Sequence, residues 1–306
     1  MNITLLSGGV GGAKLARGLA NLDRVTLTII VNTGDDDTDY GLDVSPDLDT
    51  MLYALAGIEG SQGWGTRDDT FTVMDHMNQL GIDTSFRVGD RDLALKLFRT
   101  QELRRGRPLS DITSQICQSL GVDAQVLPMS DNQIRTKLRT DATTWRAFRD
   151  YFVNRGYQDE ILEIDFVGAD TATAAPGVIE AITNSDAVVI APSNPILSVW
   201  PILRVPGISE AVRSRQVACV SPLFGGLALK GPAHRSLASL GLGEGNEGVL
   251  TAYDGIVHDF VIDAGDASDR SALESATRRV HVHDTRLDTL ETSTQFAQWL
   301  VDAVLS

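Results

Sequence analysis

Four glycines in Ser7-Gly8-Gly9-Val10-Gly11-Gly12-Ala13-Lys14 follow the apolar run Asn2 to Leu6 and precede a segment of helical spacing. Without a Cβ the backbone turns tightly and brings its N–H groups close to a phosphate, and a helix N-terminus adds favourable potential. The pattern is neither a Walker A loop, which ends in Gly-Lys-Ser/Thr, nor a regular Gly-x-Gly-x-x-Gly fingerprint. It points to a phosphate or nucleotide, with a plain strand-to-helix turn as the alternative. Gly8, Gly9, Gly11, Gly12 and Lys14 are the candidate nucleotide-binding residues.

Two acidic segments come next. Asn32-Thr33-Gly34-Asp35-Asp36-Asp37 follows a second apolar run, where its carboxylates could hold Mg²⁺ or ribose hydroxyls, or form a solvated turn. In Ser45-Pro46-Asp47-Leu48-Asp49-Thr50, Pro46 presets a first helical turn, and Asp47 and Asp49 fall where a helix N-terminus favours negative charge. Carboxylates beside a phosphate loop also suit metal-assisted phosphoryl transfer, so Asp35, Asp36, Asp47 and Asp49 are candidate Mg²⁺ ligands. Ala191-Pro192-Ser193-Asn194-Pro195 closes another apolar strand and offers Ser193, Asn194 and Pro195 as a ligand loop; Lys230-Gly231-Pro232-Ala233 is a weaker case.

Other chemistries find little support. His281 and His283 alternate with valines on a strand and read as a polar face, while His76, His234 and His258 stand alone. Cys117 and Cys219 suit neither a zinc site nor a disulfide framework and are expected to be reduced core residues.

The elements that must position these residues alternate. Strands are expected at Asn2 to Leu6, Val25 to Val31, Val122 to Pro128, Ala187 to Ala191, Gln216 to Val220, Ile256 to Ile262 and Arg279 to His283. Helices are expected from Ala13, Asp47, Thr173, Ile208 and about Ser293. The reading is an α/β fold, a doubly wound, mostly parallel Rossmann-like sheet in a single domain over 1–306. A mostly helical insertion at about 60–165 is expected to cover the substrate cleft.

A chain of 306 residues with 42% hydrophobic and 22% charged residues supports a large core. The formal net charge of -15 argues against nucleic-acid binding, which needs a basic face. Two basic clusters, Arg99-Arg104-Arg105-Arg107 and Arg135-Lys137-Arg139, read as solvated helix faces or as neighbours of an anionic ligand. No signal-peptide pattern opens the chain and no apolar run approaches the ~18 residues of a membrane span, so the cytoplasm is expected.

Taken in order, SGGVGGAKLARGL, IVNTGDD, SPDLDTMLYALAG, QGWGTRDDT, VGDRDLALKLFRT, LPMSD, VGADTATAAPGVIEAI, APSNPILSVWPIL and LDTLETS closely resemble the 2-phospho-L-lactate transferase family (CofD-like, including FbiA-type members). The resemblance runs from Ser7 to Ser293. It implies that the ribityl hydroxyl of the deazaflavin Fo attacks the phosphate beside the acid in a guanosine diphosphate diester. GMP then leaves, and the precursor of coenzyme F420 is formed. By position it also implies that Asp49 and Arg87 contact Fo; Asp49, the candidate catalytic residue, could there orient the attacking hydroxyl, accept its proton or hold Mg²⁺. The glycine loop with Ser193-Asn194-Pro195 takes the guanine nucleotide, Mg²⁺ is the family's metal, and a homodimer is possible; among the carboxylates above, Asp35 and Asp49 are the expected metal ligands. Some archaeal members carry lysine where this chain has Arg87, which exchanges a point donor for a planar fork. The competing readings are a nucleotide-sugar-binding regulator of the YvcK-like type and an NAD-dependent oxidoreductase, the latter disfavoured by the glycine spacing. Lactate, enolpyruvate and glycerate forms of the acid are not distinguished by these motifs.

Overall fold

Short β-branched runs, buried on both faces, build the centre of the computed structural model, which describes every residue except Lys230 and Ser306. The strands are β1 (Asn2–Ser7), β2 (Thr26–Val31), β3 (Gln125–Pro128), β4 (Ala187–Ile190), β5 (Val217–Val220), β6 (Asp259–Asp263) and β7 (Arg279–His283). They pair in parallel in the order β7-β6-β5-β4-β1-β2-β3. A fully parallel sheet needs cover on both faces, which is why β4 and β5 read as unbroken apolar runs rather than alternating ones.

Alternation still decides which face each side chain serves. Leu6, Ile30, Val188 and Cys219 join one core cluster, and Leu5, Ile29, Val189 and Ala218 join the other. The chain order reverses at β1, which lies between β2 and β4. Such a switch point opens a crevice at the carboxyl ends of the strands, the usual ligand position in open α/β sheets. Both cysteines are buried and free.

On the second face, α1 (Gly9–Ala20) lies against the terminal helix Leu290–Trp299. That helix starts earlier than expected because Thr289 and Thr292 form a capping box ahead of Ser293. The helix expected from Thr173 starts at Val178, after Gly177 at φ 88°.

The segment 60–165 holds more strand than expected. Its first part is helical: beyond α2 (Pro46–Leu55) come α3 (Thr72–Gln79), α4 (Asp90–Arg104) and α5 (Leu109–Leu120). Then Gln125–Pro128 joins the central sheet as β3, and Arg135–Arg139 pairs antiparallel with Trp145–Ala147 and Glu163–Val167 in a small separate sheet. Arg135-Thr-Lys-Leu-Arg alternates with only Thr136 and Leu138 buried, so its charged faces hid a strand. Among the described residues, no helix is long and apolar enough to cross a membrane.

Close approach of α1 to the terminal helix rests on one small residue. A Cβ at Gly18 would lie 2.2 Å from the Ser293 carbonyl oxygen. Gly→Ala in an open helix stabilises by about 1 kcal/mol, but overpacking at a fixed interface costs about 1–3 kcal/mol. Gly18→Ala is therefore expected to lower the denaturant midpoint; a raised midpoint would show that the two helices can move apart freely.

Candidate active site

β1 delivers the glycine turn to the crevice between β2 and β4. α1 begins at once, with Gly9 at φ +67°, alone among the four glycines in the left-handed region. The turn is held by the protein itself. The Gly9 amide donates to Asp47 Oδ1 at 2.7 Å, and the Gly8 amide donates to Ser193 Oγ at 3.2 Å. The Ser193 hydroxyl in turn donates to the Gly8 carbonyl at 2.7 Å.

Packing also explains the other three glycines. A Cβ at Gly8 would sit 2.4 Å from Asp47 Oδ2, at Gly11 2.4 Å from the Pro192 carbonyl, and at Gly12 2.0 Å from Ser7 Oγ. The turn is thus a knot of β1, α1, α2 and the Pro192–Ser193 corner, and its glycines answer to neighbours as well as to any phosphate.

The ligand-loop residues stand in altered roles. Ser193 is buried and locked to Gly8 rather than open to solvent. Asn194 caps the helical turn Pro195–Val199, its Oδ1 accepting from the amides of Ile196 at 2.9 Å and Leu197 at 3.2 Å. Pro195 is buried at the first position of that turn. The Asn194 Nδ2 has no hydrogen-bond partner among the described residues and remains a donor for a ligand. Lys14 leans away from the turn and pairs with Asp288 at 3.3 Å. Lys230 lies outside the described residues.

The acids after β2 gather beside this knot. Asn32 Nδ2 donates to Asp47 Oδ2 at 2.9 Å and to Asp35 Oδ1 at 3.2 Å, so one amide ties both carboxylates. Ser45 Oγ donates to Asp36 Oδ2 at 2.7 Å, while Asp36 Oδ1 is buried with no partner among the described residues. Burial raises all three acids. Asp47 is pushed up to about 6 against its bonds from Asn32 and Gly9, Asp36 up to about 8, and Asp35 well above its ordinary range, with Asp47 and Asp36 adding repulsion. Three desolvated acids in one crevice call for protons or for a cation.

Asp49 does not join them. It was expected to point into the cleft, but it is buried under α4 and bonded by Arg99 and by Lys96 at 3.3 Å. Burial alone would raise its carboxyl; these two cations hold it below the usual range instead. Lys96 also pairs with Asp92, which accepts from the Tyr53 hydroxyl at 2.7 Å. The result is a buried polar seam between α2 and α4. Arg87 lies elsewhere, half exposed, paired with Asp75 at 2.7 Å and stacked 4.7 Å over the Phe71 ring. No contact joins Arg87 and Asp49 among the described residues.

Lys96 was not among the expected site residues, and Asn32 and Arg99 were expected beside a ligand rather than as partners of Asp47 and Asp49. For the two cations a signal existed, because Asp92, Lys96 and Arg99 recur at helical spacing on one face of α4. Among the described residues no group of three or more His, Cys, Asp or Glu side chains is arranged as a metal centre. Of the two expected metal ligands, Asp35 stands in the crevice, whereas Asp49 is already neutralised.

Removing the charge of Asp49 strands a buried guanidinium and a buried ammonium, a loss of about 3–5 kcal/mol for a broken buried pair. Asp49→Asn is expected to lower the melting temperature sharply, and Asp49→Leu with Arg99→Met is expected to recover most of that loss. Normal melting with abolished turnover would instead return Asp49 to the reacting groups.

The sequence model of one family, described as "2-phospho-L-lactate transferase CofD", matches residues 3–300. The chain is 37% identical over 303 residues to a 2-phospho-L-lactate transferase of Methanosarcina acetivorans, covering 98% of this chain and 97% of the relative. It is 41% identical over 286 residues to a phosphoenolpyruvate transferase of Kitasatospora aureofaciens, covering 90% of this chain and 89% of the relative. A crystal structure of a UPF0052 family member from Bacillus halodurans superposes with a TM-score of 0.66 at 18% identity over 98% of this chain and 99% of that one, a likeness of fold. With the phosphate-type turn, the acidic crevice and the switch-point sheet already in place, the match along nearly the whole length shows that this chain belongs to the CofD family of 2-phospho-L-lactate transferases.

Proposed function

We propose that the chain transfers a phospho-acid from a guanosine diphosphate diester to the ribityl hydroxyl of the deazaflavin Fo, releasing GMP and forming the precursor of coenzyme F420. The observation that carries this reading is the joining of Asp47 to the glycine turn at the switch point, which sets carboxylates beside a place for a diphosphate. The family's relatives carry the names of both 2-phospho-L-lactate and phosphoenolpyruvate transferases, which supports transfer of a small phosphorylated acid.

In this reading the α1 N-terminus and the Asn194 Nδ2 hold the nucleotide phosphates and ribose side. The hydroxyl oxygen of Fo attacks the phosphorus bound to the acid, the bond from that phosphorus to the GMP oxygen breaks, and GMP carries the electron pair away. Asp36 Oδ1, unpartnered, accepts the hydroxyl proton in its ionised form, and its pKa of about 8 makes it a stronger base than an ordinary carboxylate. Asp35 and Asp47 fit Mg²⁺ better than Asp35 and Asp49, because both are desolvated acids without a cationic side chain bound to them. Mg²⁺ there would offset the charge of the diphosphate and the carboxylates, taking its remaining ligands from water and substrate. Arg87, half exposed, would reach Fo by exchanging its pair with Asp75.

Three outcomes are expected. Purified protein given Fo and a guanylylated acid forms the phosphodiester, identified by mass, and excess EDTA stops turnover without changing the melting temperature; full turnover in EDTA removes the metal. Asp36→Asn lowers kcat by roughly 10²–10⁴, and wild-type kcat rises with pH up to about 8 as Asp36 ionises; a flat profile assigns the proton elsewhere. Stabilisation by GDP and Fo supports the transferase, and stabilisation by a UDP-sugar alone supports the regulator instead.

A further inference from the structure

Of the two basic clusters in the sequence, the first is absorbed by structure. Arg99 neutralises Asp49, Arg104 donates to the Gly41 carbonyl, and Arg105 and Arg107 pair with Glu102. The second is not. Along the strand Arg135–Arg139, Arg139 pairs with Glu163 and Lys137 is exposed, but Arg135 is partly buried at the end nearest the site. The Thr136 amide donates to the Gly34 carbonyl at 2.6 Å, which pins Arg135 beside the Asn32–Asp36 turn.

There Arg135 lines a cavity of about 250 Å³ together with Thr33, Asp36, Asp43, Ser45 and Asn132, and it is the one basic lining residue among those described. Its guanidinium donates only to the carbonyl of its neighbour Ile134, at 3.0 Å, and no carboxylate pairs with it among the described residues. Asp131, also on the wall, is occupied on both oxygens by the Ser110 amide at 2.7 Å and hydroxyl at 2.8 Å. Two further lining atoms, Thr33 Oγ1 and Asp36 Oδ1, are buried and lack partners among the described residues. The wall also carries Asp37 and the apolar Val44, Leu103 and Leu109, so among its aspartates Arg135 is the one group that attracts an anion, and its guanidinium fork matches a carboxylate with two parallel hydrogen bonds.

We propose that Arg135 receives the carboxylate of the acid being transferred and so determines which phosphorylated acid the enzyme accepts. The proposal rests on the transferase reading. Arg135 and Asp36 line the same cavity, so the fork takes the carboxylate of the acid while its phosphate lies on the Asp36 side. An enol acid, planar through its carboxylate, and a hydroxy acid, tetrahedral at the adjoining carbon, then present their phosphates at different angles. A glycerate-type acid, with the same three carbons, has to fit its additional oxygen within the same 250 Å³.

The test compares the wild type with Arg135→Gln and Arg135→Lys, using Fo and three guanylylated donors that carry the lactate, enolpyruvate and glycerate acids. Arg135→Gln is expected to raise KM for the preferred donor roughly 10- to 100-fold, the scale of a lost charge-assisted pair, with the melting temperature and GDP affinity unchanged. Arg135→Lys is expected to recover part of the loss and to alter the preference among the acids, because a point charge does not impose the fork's orientation. Calorimetry with free phosphoenolpyruvate is expected to show binding to the wild type and none to Arg135→Gln. Equal KM values, or a parallel loss of GDP affinity, overturn the proposal, the latter by showing that Arg135 only balances the charge of Asp35 and Asp36. A wild type that turns over no donor overturns the transferase reading itself, a result distinct from active variants with unaltered KM.

Discussion

Asp47 accepts a hydrogen bond from the Gly9 amide and another from Asn32, and the arrangement of the crevice follows from that pair of contacts. Gly9 belongs to the turn after β1, Asn32 to the end of β2, and Asp47 to the first turn of α2, so one carboxylate registers three elements. An amide at φ +67° presents its N–H away from the helix it begins, and a carboxylate from a neighbouring helix meets it. A bond from an amide to an ionised group is stronger than a neutral one, and burial raises the cost of losing either partner. The same contact leaves no room for a Cβ at Gly8, whose substituent would strike Asp47 Oδ2. The glycines thus record a packing requirement before they record a ligand.

Charge balance divides the acids of the β2 turn and of α2 by direction. Toward the crevice, Asp35, Asp36 and Asp47 have hydroxyl and amide partners and are raised by burial. Toward α4, Asp49 meets two cations and stays ionised. Buried ion pairs contribute little net stability against apolar replacements, yet they fix one arrangement because any other leaves a charge unpaired. The seam of Asp49, Lys96, Arg99, Asp92 and Tyr53 holds α4 against α2 and thereby holds Asp47 against the turn. It is a positioning device set one layer below the crevice.

Much of the fold was legible because β4, β5 and β6 are buried runs whose composition admits no other element, and because the turn after β1 has a single plausible topology. The strand Arg135–Arg139 was not, since alternation of Arg, Lys and Arg with Thr and Leu resembles a solvated helix when read without its partners. Helix starts at Val178 and Leu290 depended on Gly177 and on the Thr289–Thr292 cap, local signals that apolar spacing does not contain. The candidate site was legible as a set of segments: glycine turn, two acidic loops, the Pro192–Asn194 corner. Their mutual bonding was not, because Ser193 reaching Gly8 spans 185 positions and leaves no pattern in the sequence.

Asp47 and Asp49 are sorted to different sides of α2 by helical geometry. Two residues apart on a helix of 3.6 residues per turn, they project about 200° apart. Neighbours that share a face are three or four apart, so these two carboxylates could not both serve one site. Once Pro46 fixes the first turn, one acid must face the strand ends and the other must face whatever packs on the far side. The apolar positions Leu48, Met51 and Leu52 are buried against the sheet-side core, which leaves the flanks for the acids. A helix bearing Asp92, Lys96 and Arg99 on one face supplies the cations for the second acid. The assignment of Asp47 to the crevice and Asp49 to the seam is therefore a consequence of helical geometry combined with the partners each flank meets.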